Sequence, residues 1–130
     1  MSDPPRKILI IDDDPFFLKV LTDSFSEYGF TVFNANDGIE GVSAYLANAP
    51  DAVISDMVMP RMGGVSTCME ITRLAGENPP AIVLLTSMFH EKPHEHDAPE
   101  MGAKVHIPKS TPPVDIVIIV EQLLERAKYI

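Results

Sequence analysis

Ile8-Leu9-Ile10-Ile11-Asp12-Asp13-Asp14-Pro15 decides the fold. Four aliphatic residues in a row, with no polar alternation, describe a strand covered on both faces, as the strands of a parallel sheet are. The run stops at three aspartates. Asp14 followed by Pro15 reads as a helix N-cap with proline at the first helical position, where the missing N–H has no intrahelical partner to lose. Phe17, Leu18, Leu21 and Phe25 then keep a helical period until Gly29 ends it. A buried strand and a helix are joined by a short acidic turn.

The same alternation runs through the rest of the chain. Thr31-Val32-Phe33 is a short strand, Gly38 to Leu46 is helical with Ile39, Val42 and Leu46 on one face, and Ala52-Val53-Ile54 is apolar again. Met57 to Gly64 is a loop with proline and glycine, Val65 to Leu74 is amphipathic, and Ala81 to Leu85 is the most apolar strand candidate, expected at the centre of the sheet. Met88 to Met101 carries Pro93, Pro99 and three histidines, so a loop with a short or broken helix is expected there. Lys104 to Ile107 is a short strand, and Thr111-Pro112 is a cap-plus-proline start for a last helix reaching toward Lys128. Its inner stripe is Ile116, Val120, Leu123 and Ala127. Val114, Ile118 and Ile119 add apolar surface on other faces, for which two readings stand side by side, a partner or homodimer contact through this helix and a wide buried face. Five βα units joined by right-handed crossovers give an α/β fold, a five-stranded parallel sheet with helices on both faces. With no repeat or linker, residues 1–130 read as one domain.

Composition narrows the function classes. At 130 residues and 45% apolar content the chain suits one compact core. Its net charge of -9 argues against direct nucleic-acid binding and fits a cation site or a basic partner. The lone Cys68 forms no internal disulfide and is expected in the core, nothing in Met1 to Ile11 resembles a signal peptide, and no aliphatic run approaches the roughly 20 residues that span a bilayer. A soluble, cytoplasmic protein is expected.

In an open α/β sheet, residues just past the strand ends converge on one site. Here Asp12 and Asp13 follow the first strand, Asp56 the third and Thr86 the fourth, while Lys109 follows the fifth across one proline. Gathered carboxylates repel one another and call for a hard cation with all-oxygen ligation, Mg2+ or Mn2+. A carboxylate is also a nucleophile toward phosphorus when a cation, a lysine and a hydroxyl absorb charge on the phosphoryl oxygens. Asp56 has each of these helpers.

These residues resemble the receiver domains of bacterial two-component response regulators over essentially the whole chain. The segments that carry the resemblance are Ile8 to Pro15, Asp56-Met57-Val58-Met59-Pro60-Arg61-Met62-Gly63-Gly64, Leu85-Thr86-Ser87, and Gly102-Ala103 with Lys109 seven residues after the glycine. The resemblance implies a flavodoxin-like, doubly wound fold and a signalling module of a phosphorelay. It implies that Asp12 and Asp13 hold magnesium, that Asp56 is the phosphoacceptor, and that Val58 gives its backbone carbonyl to the metal. Thr86 and Lys109 would contact the phosphoryl oxygens. The first helix and the loop after Asp56 would meet the phosphodonor, a histidine kinase or histidine phosphotransfer protein, and a downstream target would read the result. Residues two beyond the phosphoacceptor and two beyond the threonine, here Val58 and Met88, would flank the path of a hydrolytic water. Neither side chain can orient one, so a long-lived phosphoaspartate is expected.

Three features depart from that pattern. Ser110 follows Lys109 where the family usually has a proline joined by a cis bond, which bears on how the lysine is aimed. His106 stands where an aromatic switch residue is common. Pro99 interrupts the fourth helix, part of the usual output face. His90, His94 and His96 with Glu91, Glu95 and Asp97 make a weak candidate for zinc or nickel, since Pro93 spoils helical pairing and no cysteine joins them. Two other readings compete: a pseudo-receiver that docks or dimerises without phosphate turnover, and a haloacid-dehalogenase-like phosphatase with Asp12 as nucleophile. Pro15 interrupts the motif of the latter.

Overall fold

The computed structural model describes residues 4–59, 61–87 and 105–127. The aliphatic runs form the strands β1 (Lys7–Ile11), β2 (Thr31–Ala35), β3 (Ala52–Asp56), β4 (Ala81–Thr86) and β5 (Val105–Pro108). Between and after them lie α1 (Pro15–Glu27), α2 (Gly38–Asn48), α3 (Gly64–Ala75) and α4 (Pro113–Ala127). All strand pairs are parallel, in the order β2-β1-β3-β4-β5. The segment between β4 and β5, with the expected broken helix, Pro99 and the three histidines, lies outside the described residues.

Alternate residues of each strand enter opposite layers, which is why unbroken apolar runs were needed. Ile8 and Ile10 of β1 join Ile54, Val83 and Leu85 against Leu21 and Phe25 of α1 and Ile116, Val117 and Val120 of α4. Leu9 and Ile11 join Val53, Ile82 and Leu84 against Cys68 and Ile71 of α3. Helices therefore cover both faces. Cys68 is fully buried, and burial pushes its thiol up to about 12, consistent with a core residue.

The first turn forms as its residues dictate. Asp14 caps α1 by accepting the Phe16 N–H at 3.0 Å, a contact worth about 1 kcal/mol, and Gly29 takes the left-handed φ of 87° that a β-carbon would oppose. Elsewhere the structure differs from the sequence reading. In α2 the buried residues are Gly38 and Gly41, while Ile39 and Leu46 are exposed. The helix lies on its glycine face: a β-carbon at Gly41 would come within 2.5 Å of Ile11 Cδ1, and one at Gly38 would strike Thr67 and Met62. β4 is buried and paired on both sides, but the middle strand is β3. α4 begins at Pro113, because the Thr111 hydroxyl turns back to donate to the Pro108 carbonyl at 2.7 Å instead of capping the helix. Ile119 packs against the core, leaving Val114 and Ile118 as the large exposed apolar residues of α4. Among the described residues no helix is long and apolar enough to cross a membrane.

Candidate functional site

The order β2-β1-β3-β4-β5 reverses direction between β1 and β3, and the crevice beyond their carboxyl ends is where such sheets bind ligands. Asp12, directly after β1, is 1% exposed. Its Oδ1 accepts the Asp14 N–H at 2.9 Å, and its Oδ2 lies 2.8 Å from Lys109 Nζ. Asp13 beside it is exposed. Asp56 is the last residue of β3, not the one beyond it, and its Oδ2 lies 3.6 Å from the same ammonium. Carboxylate oxygens of Asp12, Asp13 and Asp56 all lie within 4.8 Å of one another.

Register brings the remaining residues in. Thr86, buried at the end of β4, pairs with Pro108, and the Lys109 N–H donates to the Thr86 carbonyl at 2.6 Å. Lys109 thus starts at the sheet edge and reaches both carboxylates with Ser110 exposed behind it, so the serine at that place does not turn the lysine away. Val58 is 70% exposed, and its backbone N–H hydrogen-bonds the Asp56 carboxylate. Met88 lies outside the described residues. His106 is buried in β5.

The electrostatics follow from this crowding. Burial first, then the charge of Asp12 and, more weakly, Asp13, hold the Asp56 carboxyl above its ordinary value against the opposing pull of Lys109 and the Val58 N–H. For Lys109, burial disfavours the ammonium, but the hydrogen bond to Asp12 and the charges of Asp12, Asp56 and Asp14 outweigh it and raise its pKa. Carboxylates outnumber cations in the crevice, and an oxygen-only donor set with excess negative charge fits a hard divalent ion such as Mg2+.

A stability consequence follows. Because folding raises the pKa of Asp56, its ionised form opposes folding; the cost is absent below the ordinary carboxylate value of about 3.9 and complete above the raised one. Without divalent metal, Asp56→Asn should therefore be more stable than the original chain at pH 7 and no more stable near pH 3. Urea midpoints at the two pH values measure this.

Two features escaped the sequence reading. The loop after β3 is pinned by Met57 N–H to the Leu85 carbonyl at 2.8 Å, by Gly64 N–H to the Met57 carbonyl at 2.9 Å, and by an ion pair from Arg61 to Asp37, the N-cap of α2. Gly64 is required here, since a β-carbon would meet the Asp56 carbonyl and come within 2.9 Å of Met57 Cα. The Gly63-Gly64 pair was the only local signal. The other feature is Phe17, whose ring lies under Lys109 Nζ, 4.5 Å from the ring centroid.

A doubly wound parallel sheet with buried aspartates and a lysine at its switch point defines a class of proteins with an acidic crevice at the carboxyl ends of their strands. Residues 8–121 match the profile of the response regulator receiver domain, and the chain belongs to that family. It is 33% identical over 123 residues to the response regulator MprA of Mycobacterium sp. (strain KMS), a match covering 94% of this chain and 52% of the relative. The chain spans about half the length of the curated relatives it matches. A receiver domain from Clostridium thermocellum superposes with a TM-score of 0.81 at 27% identity, over 95% of this chain and 98% of that one. In a complex from Borrelia burgdorferi described as CheX-CheY-BeF3-Mg2+, the matching chain gives a TM-score of 0.81 at 28% identity, over 92% of this chain and 89% of that one.

Proposed function

We propose that this chain is one receiver domain that takes a phosphoryl group on Asp56 from the phosphohistidine of a histidine kinase or phosphotransfer protein. Asp12, Asp13, Asp56 and the Val58 carbonyl would hold Mg2+, or Mn2+, during the transfer. The observation that carries this reading is the Lys109 ammonium set between Asp12 and Asp56, at 2.8 and 3.6 Å, beside three clustered carboxylates. An Asp56 oxygen forms the bond to phosphorus as the P–N bond of the donor breaks and its imidazole leaves with the electron pair. Lys109 and the Thr86 hydroxyl offer positive charge and a hydrogen bond to the phosphoryl oxygens, and a bound divalent ion supplies further positive charge to them. The outcome is a shift between two surface states and not turnover of a substrate; the chain catalyses at most its own phosphorylation and dephosphorylation.

The phosphatase alternative falls with the family assignment. It also needs Asp12 as nucleophile, yet that carboxylate is buried and engaged by Asp14 and Lys109. The docking-scaffold alternative is tested with beryllofluoride and Mg2+, followed by amide NMR. Shifts around Asp56 are expected in the original chain, and Asp13→Ala should weaken Mg2+ binding by at least about tenfold through loss of one charged ligand. A silent spectrum would mark a scaffold, and unchanged Mg2+ affinity in Asp13→Ala would place the metal elsewhere.

The exposed Val114 and Ile118 of α4, 42% and 43% accessible, support a partner or homodimer contact on that helix. Val114→Glu with Ile118→Lys should reduce self-association or target binding in analytical ultracentrifugation while the far-UV spectrum and melting temperature stay unchanged. Unfolding of this variant would identify the two residues as core.

A further inference from the structure

Lys109 arrives at the site on a flexible four-carbon stem from a turn, and its backbone N–H donates to the Thr86 carbonyl of β4. Its ammonium is drawn toward Asp12 at 2.8 Å more closely than toward Asp56 at 3.6 Å. A divalent ion on Asp12 would compete for that partner. The Phe17 ring is a contact that no metal consumes: it stands 4.5 Å from Nζ, inside the roughly 6 Å range in which an aromatic face attracts a cation. Its own placement is firm, because α1 is anchored by buried Leu18, Leu21 and Phe25, and Phe17 packs against the same core.

We infer that Phe17 is a positioning residue for Lys109, an aromatic wall that keeps the ammonium aimed at Asp56 and the group bound there. The inference rests on the reading of Asp56 and Lys109 given above. It explains how an exposed Ser110 suffices behind the lysine: the side chain is guided from α1 and not only from its own turn. A smaller or non-aromatic side chain at position 17 would leave the stem room to turn away from the crevice toward solvent.

The test uses the whole chain with lysine labelled for NMR, the Lys109 signal being assigned by its loss in Lys109→Arg. Ring currents from Phe17 should move the Lys109 ε-methylene protons upfield of the other lysines. The displacement should vanish in Phe17→Met, which keeps volume but not the ring, and persist in Phe17→Tyr. Beryllofluoride affinity in the presence of Mg2+ should fall roughly 3- to 10-fold in Phe17→Met and change by less than about twofold in Phe17→Tyr. An ordinary ε-methylene shift in the original chain overturns the inference even if Phe17→Met fails to fold. Equal beryllofluoride binding by the original chain and Phe17→Met overturns the inference alone, whereas no binding by the original chain overturns the phosphoacceptor reading with it.

Discussion

Incubated with acetyl phosphate and Mg2+, the original chain is expected to gain the mass of one phosphoryl group, and Asp56→Asn none. Three carboxylates share the crevice, so the choice among them must come from their surroundings. Asp12 is 1% exposed with one oxygen on the Asp14 N–H and the other on Lys109, which leaves little freedom to attack. Asp13 is exposed, and among the described residues it has no ion pair that would neutralise an incoming phosphate. Asp56 combines a strand-end backbone, a lysine at 3.6 Å and a supporting Val58 N–H. The amide in Asp56→Asn keeps shape and volume, and the variant's expected gain in stability without metal at pH 7 guards against mistaking unfolding for loss of the acceptor. Intact-mass spectrometry reads the result. An adduct of unchanged yield in Asp56→Asn would sink the assignment and turn attention to Asp13.

The parts of this molecule legible in its sequence are those whose signal is local. Ile8 to Ile11 and Ala81 to Leu85 read as buried strands because burial on both faces removes polar alternation, and Asp14-Pro15 marked the start of α1 because cap and proline act within one turn. Asp12, Asp13, Asp56, Thr86 and Lys109 could be gathered from strand ends alone, since a parallel sheet brings all its carboxyl ends to one edge. Where two distant segments decide the outcome, the pattern misled or was silent. Of the apolar stripe Ile39, Val42 and Leu46 in α2, only Val42 packs on the core, while the close approach of β1 and α3 buries Gly38 and Gly41 and leaves Ile39 and Leu46 exposed. Thr111 looked like a cap, and the strand-end carbonyl of Pro108 claimed its hydroxyl. Phe17 looked like any core position of α1, and nothing within α1 shows that Lys109 crosses its ring. Arg61 and Asp37 likewise meet only once α2 and the loop after β3 are side by side.

Once formed, the phosphoaspartate should decay slowly, and Val58→Asn combined with Met88→Glu should accelerate its loss by roughly 10- to 100-fold, the usual reach of positioning a reactant. Hydrolysis requires water held in line behind phosphorus, opposite the Asp56 oxygen. Of the two positions that the family resemblance sets beside that path, the structure gives a place to Val58, whose N–H supports the Asp56 carboxylate and whose side chain is 70% exposed. An exposed isopropyl group beside the acceptor crowds the approach and offers no hydrogen bond to a water. Met88, outside the described residues, is equally without a group that could orient one. The amide at position 58 supplies a donor and an acceptor and the carboxylate at position 88 an acceptor, and they leave Asp12, Asp13, Asp56, Thr86 and Lys109 untouched. The Val58 carbonyl, proposed above to hold the metal, is kept in either version, because the substitution alters only the side chain. Loss of phosphoryl label from purified protein in Mg2+ gives the two rates directly, and Val58→Asn alone separates the contribution of the loop from that of position 88. Equal decay of original and double variant, or faster decay of the original, would show that water is positioned by some other group of the chain.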